Sequence, residues 1–382
     1  MIINRIIRNF LLFLFALYYA LNWLYSTGSV ISQICIVTII LISGVYFIKT
    51  LLLNDKNSLF YNAWTLLILL NIIGFIFNPD LSEGRARDMF KNILGGMLPF
   101  YPFYYFAKKD ILNSTHLIRF FLIIMPVIIL QFFKIESTIL IEMDTDNTNV
   151  VNNMAYSFVS LIPYVFLVKR KKLLSGGLMI IIILFIIQGA KRGAIIVGSI
   201  GLLMYFYYLM ITIEKRQLIL GSMAVIIIFL GLSVFAYKTL ISNEFLIGRM
   251  TSVLEGDLSG RNIIYKTIFS KWYNCNNIFN LVFGFGFAAS VKIAGDYAHN
   301  DWLELLSNFG VLGICAYLFL FYAAAKYCLS KVWLIDKRVL MITITLMWFF
   351  TSLFSMSYAS LGGFMQAILL GYLIGNRSES LV

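Results

Sequence analysis

The chain has 382 residues, of which 60% are apolar, 16% aromatic and only 13% charged, with a mean hydropathy of +0.87 and a formal net charge of +12. A soluble domain carries about 25% charged residues, so soluble-enzyme, disordered and disulfide-rich secreted classes are excluded, and lipid is the main solvent. The positive balance fits basic cytoplasmic loops better than nucleic-acid binding. The four cysteines, Cys35, Cys275, Cys315 and Cys328, are scattered without metal-ligand spacing.

A membrane helix needs about 20 apolar residues, and on that measure the sequence predicts an all-α polytopic membrane protein with about twelve transmembrane helices. In chain order they fall near 6–25, 30–49, 59–77, 90–107, 117–134, 150–168, 173–190, 193–213, 217–238, 301–325, 339–355 and 358–375. Arg5 and Arg8 precede the first apolar run as in a signal peptide. No small-x-small cleavage site follows, so this segment reads as a retained anchor. The whole chain, 1–382, reads as a single membrane domain, with one large loop at 239–300 inserted between the ninth and tenth spans. A structureless loop of that length is uncommon unless it is functional. A smaller acidic loop lies at 134–150, with Glu136, Glu142, Asp144 and Asp146, and a third at 78–90 holds Arg85, Arg87 and Asp88.

The Lys/Arg bias sets a direction. With both termini in the cytoplasm, the inner segments carry +13 and the outer ones −1. The large loop is then outside, and the basic residues kept on that side run against the trend. Lys191-Arg192 sits between two apolar spans, where a charge costs about 2.5–3.5 kcal/mol and usually faces a cavity or partner. Its alternatives are snorkelling to headgroups and clamping a lipid-linked phosphate.

The large loop carries Arg249, Arg261, Lys266, Lys271 and Lys292. From a Ser259 cap, Ile264, Ile268 and Trp272 recur every four residues, which predicts an amphipathic helix on the outer leaflet. Arg261 would lie in its first turn, where free N–H groups and the helix dipole favour an anion. Phe283-Gly284-Phe285-Gly286-Phe287 is too short and misplaced for a dinucleotide fingerprint and reads as a tight turn. His299 is one of only two histidines. It stands just before a long apolar helix, and an imidazole is the usual general base near neutral pH. Asp301 and Glu304 are close in sequence, although a lone His is more often structural and Asp301 equally suits the first turn of a helix. No metal-ligand cluster, P-loop or Ser-His-Asp order is visible.

Taken in order, these residues resemble the O-antigen ligase/polymerase superfamily. His299-Asn300-x-x-Leu303 followed by Gly310-x-x-Gly313 is similar to its signature, in which the histidine ends the large periplasmic loop. Ala190-Lys191-Arg192-Gly193-Ala194 is similar to its helix-hairpin Arg motif, with Lys191 where the family often has Ser or Thr. Ser259-Gly260-Arg261 with Gly284-Phe285-Gly286-Phe287 is similar to its loop motif. Asn147-Thr148-Asn149 with Asn153-x-Ala155 is similar to its Asn-rich approach to the middle span. The likeness covers roughly 145–320 specifically.

The resemblance implies a C-type membrane glycosyltransferase in the bacterial inner membrane, acting periplasmically without metal or other cofactor. The donor would be an oligosaccharide on undecaprenyl diphosphate and the acceptor a sugar hydroxyl. His299 would be the base and Arg192, Arg261 and Arg249 the diphosphate ligands, with Lys191, Asn300, Asp301, Arg85 and Arg87 in support. Partners would be the lipid-linked donor and acceptor, the bilayer, a chain-length regulator and a flippase, but no nucleic acid. A polymerase joining repeat units is favoured over a ligase moving polymer to lipid A–core. An exporter is disfavoured by the scarcity of acidic residues within the spans, and an accessory assembly protein would leave the outer arginines without a task.

Overall fold

In the computed structural model the described residues are 2–25, 28–53, 58–78, 84–143, 151–169, 171–212, 261–330 and 333–376, with 231, 234 and 238 in addition. They are helical, with no strand among them. Among the described residues seven helices are long and apolar enough to cross a membrane, and the chain is built as a multi-pass membrane protein. These are α1 (Ile2–Leu24), α2 (Val30–Leu52), α3 (Leu59–Ile76), α6 (Ser114–Met143), α9 (Arg192–Thr212), α13 (Asp301–Leu329) and α14 (Ile335–Phe354). Between them lie α4 (Gly84–Met97), α5 (Phe100–Lys108), α7 (Ala155–Val165) and α8 (Lys172–Gln188). Three short helices follow, α10 (Arg261–Tyr273), α11 (Ile278–Phe283) and α12 (Ala289–Ala294), and the chain closes on α15 (Phe364–Gly375).

The residues fall into two compact units, one of 1–116 with 259–382 and the other of 117–258. The first is cored by aromatic rings. Phe60, Tyr61, Trp64, Phe100 and Tyr104 pack together with ring centroids 5.1–6.1 Å apart. Trp64 also meets Trp348 of α14 edge-on at 5.1 Å. Several polar tips in this core are satisfied internally, as lipid requires: Trp64 Nε1 donates to Met97 O, Tyr61 Oη to Thr50 and Tyr101 Oη to Thr65. Helix α5 is buried from Phe100 to Ala107 because α15 lies directly against it. Cβ atoms at Gly371 and Gly375 would strike the carbonyls of Phe100 and Tyr104, so the two backbones meet through glycine as small-residue membrane interfaces do.

In the second unit Phe158 and Phe185 stack at 4.7 Å and 4°, with Phe132 edge-on to Phe185. Ser175 bonds Tyr205 between α8 and α9 at 2.7 Å.

Several predicted spans are reshaped. The stretch 90–107 is two helices, α4 and α5, parted at Leu98-Pro99, because a proline and its predecessor disfavour an unbroken helix there. The stretch 150–168 contributes only the 11-residue α7, and the last span is a 3-10 turn (Leu361–Gly363) followed by α15. Apart from residues 231, 234 and 238, the predicted span 217–238 lies outside the described residues, as does the part of the large loop before Arg261.

The segment 301–325 is one continuous run by hydropathy, yet α13 is broken at Gly310, whose φ is 59° and ψ −146°. The break is filled by the Phe283–Phe287 turn. Phe285 N donates to Ser307 O at 2.8 Å, Gly286 N to Asn308 O at 3.3 Å, and Ala289 N to Asn308 Oδ1 at 2.9 Å. Carbonyls that the broken helix cannot pair are thereby satisfied. Gly284 (φ 77°) and Gly310 sit backbone to backbone. A Cβ at Gly284 would strike Phe309 N, and one at Gly310 would strike Leu281 O. Both motif glycines therefore serve this crossing.

Candidate functional site

Where α13 begins, four elements of the first unit converge. Asn300 caps α13: its Oδ1 accepts from Trp302 N (2.9 Å) and Leu303 N (3.1 Å), as an N-cap should. Its Nδ2 donates to Leu353 O at 3.1 Å, near the end of α14. Arg261, the first residue of α10, donates from its guanidinium to Phe354 O at 2.8 Å. Trp302 Nε1 donates to Ser352 Oγ at 3.0 Å. The last turn of α14 has carbonyls with no helical partner and a negative dipole end, and Arg261 and Asn300 supply both donors and charge.

Tyr265 ties these groups together. Its hydroxyl donates to His299 O at 3.5 Å and lies beside the side chains of Arg261 and Asn300. Burial pushes its phenol pKa up, with the Arg261 charge pulling it back, so it is a neutral donor at physiological pH. Tyr265 was not picked out from the sequence. The available signal was its i+4 spacing from Arg261 on a predicted helix, which puts the two on one face.

His299 is half-buried and holds φ +50°, the left-handed region that few non-glycine residues occupy. Its neighbours explain this. Ala298 N donates to Glu304 Oε2 at 2.9 Å on one side, and Asn300 is fixed as the helix cap on the other. The backbone at 299 must turn between two tethered residues, a local strain held by its surroundings.

The two nearby carboxylates are both fully buried. Asp301 accepts from Tyr317 Oη at 2.5 Å and Ser357 N at 2.8 Å, and Trp348 Nε1 donates onward to Tyr317 Oη at 2.6 Å. Glu304 accepts from Ser290 Oγ at 2.6 Å, Ala298 N and Asn308 Nδ2. Asp301 thus braces the start of α13 against the 355–358 turn, and Glu304 braces the 290–298 segment.

Arg85, near the start of α4, joins the segment leading to His299: it donates to Gly295 O at 2.7 Å and pairs with Asp296 at 3.4 Å. Tyr297 returns a bond from its hydroxyl to Arg85 O at 2.7 Å; burial pushes its pKa up to about 12, and Asp88 and Glu304 add to the rise. Arg87 is exposed in the same turn of α4.

Lys191 and Arg192 belong to the second unit. They form the tight turn from α8 into α9, both half-buried, after Ala190 at φ +51°. Asn152, itself 1% exposed, fixes this turn: its N donates to Gly189 O at 2.9 Å and its Nδ2 to Phe132 O at 3.0 Å, while its Oδ1 accepts from Met154 N. Arg249, Ser259, Gly260 and the Asn147–Asn149 run lie outside the described residues. In the related Asn153-x-Ala155 pair, Asn153 is exposed and Ala155 is buried against Gly189.

Helix α10 has a second character. Its Tyr265, Ile268 and Trp272 face turns inward, with Ile268 fully buried and Trp272 Nε1 donating to Leu281 O. On the other face, Thr267, Ser270, Lys271 and Asn274 line an open groove of about 690 Å³, completed by Cys275, Asn276, Asn280 and Phe285. Among the described residues no three His, Cys, Asp or Glu side chains cluster as metal ligands would.

No protein-family model matches the chain, and no curated protein matches it.

Proposed function

We propose that the chain is a polymerase of a bacterial surface polysaccharide of the O-antigen type, a C-type glycosyltransferase that joins oligosaccharide repeat units carried on undecaprenyl diphosphate at the periplasmic face of the inner membrane. The observation that carries this reading is the assembly of Arg261, Tyr265, Asn300 and the His299 backbone around the start of α13. A cation and an imidazole-bearing residue, far apart in the sequence, both lie beside the Tyr265 hydroxyl.

The chemistry suits such a pair. The acceptor sugar hydroxyl attacks the anomeric carbon while its proton passes to the His299 imidazole. The glycosidic bond to the diphosphate breaks in line, so the anomeric configuration inverts. Charge grows on the departing diphosphate oxygen, and a site without metal needs fixed cations there. Arg261 donates a guanidinium N–H to Phe354 O, and an arginine has five to give. Arg192 and Arg249 are the further diphosphate ligands in this proposal. In it both chain termini face the cytoplasm, and a chain-length regulator and a flippase act alongside.

Deleting the gene and resolving the lipopolysaccharide on a gel tests the assignment. A lost polymerase leaves core capped with a single repeat. Bare core with polymer still on the lipid carrier would mean a ligase, and bare core with no periplasmic polymer would mean an exporter.

A further inference from the structure

Helix α11 presents an apolar face that no other described part of the chain covers. Ile278, Phe279, Val282 and Phe283 lie on one side of it and are 65%, 68%, 37% and 54% exposed. The rings of Phe279 and Phe283 stack on one another at 6.3 Å. A water-facing loop seldom carries so apolar a face unless something covers it.

The break in α13 sets the level at which that face sits. Before Gly310 the helix carries buried polar groups at Asp301, Glu304, Ser307 and Asn308. After it, the stretch from Val311 has no charged residue until Lys326. From Val311 to Leu329 it is about 28 Å long at the helical rise, which matches the roughly 30 Å hydrocarbon layer. The crossing therefore starts at Gly310. Helix α11 is locked to that same point, since Gly310 lies against the backbone of Leu281, Val282 and Gly284. Trp272 Nε1 to Leu281 O and the Asn277 cap on Phe279 N hold its orientation. At the start of the crossing Val311 and Leu312 are themselves about two-fifths exposed, 43% and 41%, as lipid-facing residues are. The α11 face thus sits at the level where the lipid-facing surface of α13 begins.

From this we infer that α11 is an interfacial helix whose Ile278, Phe279, Val282 and Phe283 side chains enter the acyl region of the leaflet on the Asp301 side. The irregular turn at 284–287 is tolerated at that depth because the N–H groups of Gly284, Phe285 and Gly286 are spent on the carbonyls of Asn280, Ser307 and Asn308. Helix α11 then acts as a float that fixes the height of α10, and with it Arg261, against the leaflet surface. This inference requires only that the chain spans a membrane, not the polymerase reading.

The test is spin-label accessibility in vesicles of three parts phosphatidylethanolamine to one part phosphatidylglycerol. Single labels are placed at Phe279→Cys and Phe283→Cys, with Leu312→Cys as the lipid-facing reference and Asn276→Cys as the aqueous one. The full chain carries Cys275→Ser, Cys315→Ser and Cys328→Ser, and Cys35 is buried. The expected result is collision with oxygen several-fold above that with a water-soluble nickel chelate at 279 and 283, as at 312, and the reverse at 276. The expected depth is about 5–10 Å below the headgroups. Nickel access at 279 and 283 equal to that at 276 would overturn the inference, because the helix would lie in water. Low access to both reagents with an immobilised spectrum would also overturn it, because residues 213–260 or a second copy would be covering the face.

Discussion

His299 occupies a backbone conformation that its own side chain does not favour, and its fixation comes from groups on either side of it. Glycine would relax φ +50° but remove the imidazole, so the two contributions can be separated. His299→Ala should insert normally and lose chain extension by about 10²–10⁴-fold, the usual contribution of a positioned base. His299→Gly should be equally inactive while melting at or above the wild-type temperature, measured in detergent. Arg261→Lys keeps the charge but loses the fork that reaches Phe354 O and, in the proposed function, the diphosphate. We expect a loss of about 10²-fold in chain extension with normal membrane abundance; undiminished activity would remove Arg261 from the diphosphate site. Asp301 belongs to a different class. Asp301→Ala would leave the buried Tyr317 hydroxyl without its acceptor and the part-buried Ser357 N–H without its partner, at a cost of about 1–3 kcal/mol for each group. It should lower thermal stability first and activity only through it. Of these residues the sequence exposed His299 and Arg261 through type and position. It did not expose Tyr265, because an aromatic in a chain with 22 tyrosines carries no signal until its hydroxyl is seen between Arg261, Asn300 and His299.

At the scale of elements, the pairing of a broken helix with a glycine turn is the central device. Gly310 opens α13, Gly284 lets the turn approach, and Phe285 and Gly286 return the missing donors. Gly310→Ala and Gly284→Ala each place a Cβ into backbone at positive φ, so each should destabilise by about 1–3 kcal/mol or more. Thermal aggregation in detergent would show it, and an unchanged midpoint would contradict the packing described. The hydropathy ruler saw the apolar content of 301–325 and 90–107 but neither break. It averages over the window, whereas a break depends on a single residue: Gly310 in α13, Pro99 between α4 and α5. The motif Gly310-x-x-Gly313 was legible as a pattern. Its physical purpose was not, since that depends on which backbone arrives from residues 281–284, far from it in sequence order. The Ile264, Ile268 and Trp272 period did give the helix α10, and Ile268 is its buried centre.

For the molecule as a whole, composition alone indicated lipid as the solvent, and seven helices of membrane-spanning length bear that out. The direction of the spans rests on charge bias, which is testable directly. Asn276→Cys, exposed between α10 and α11, should react with a membrane-impermeant maleimide from the periplasm of cells with a permeabilised outer membrane. Lys172→Cys, at the start of α8, should react only after lysis; the opposite pattern would invert the proposed topology and remove His299 from the periplasmic face.

The central claim is that His299 and Arg261 extend a lipid-linked glycan. Its most direct test is the lipopolysaccharide ladder of a gene-deleted strain carrying either the wild-type chain or His299→Ala at matched membrane abundance. The account predicts a full ladder from the first and core with a single repeat from the second. A full ladder from His299→Ala would contradict it.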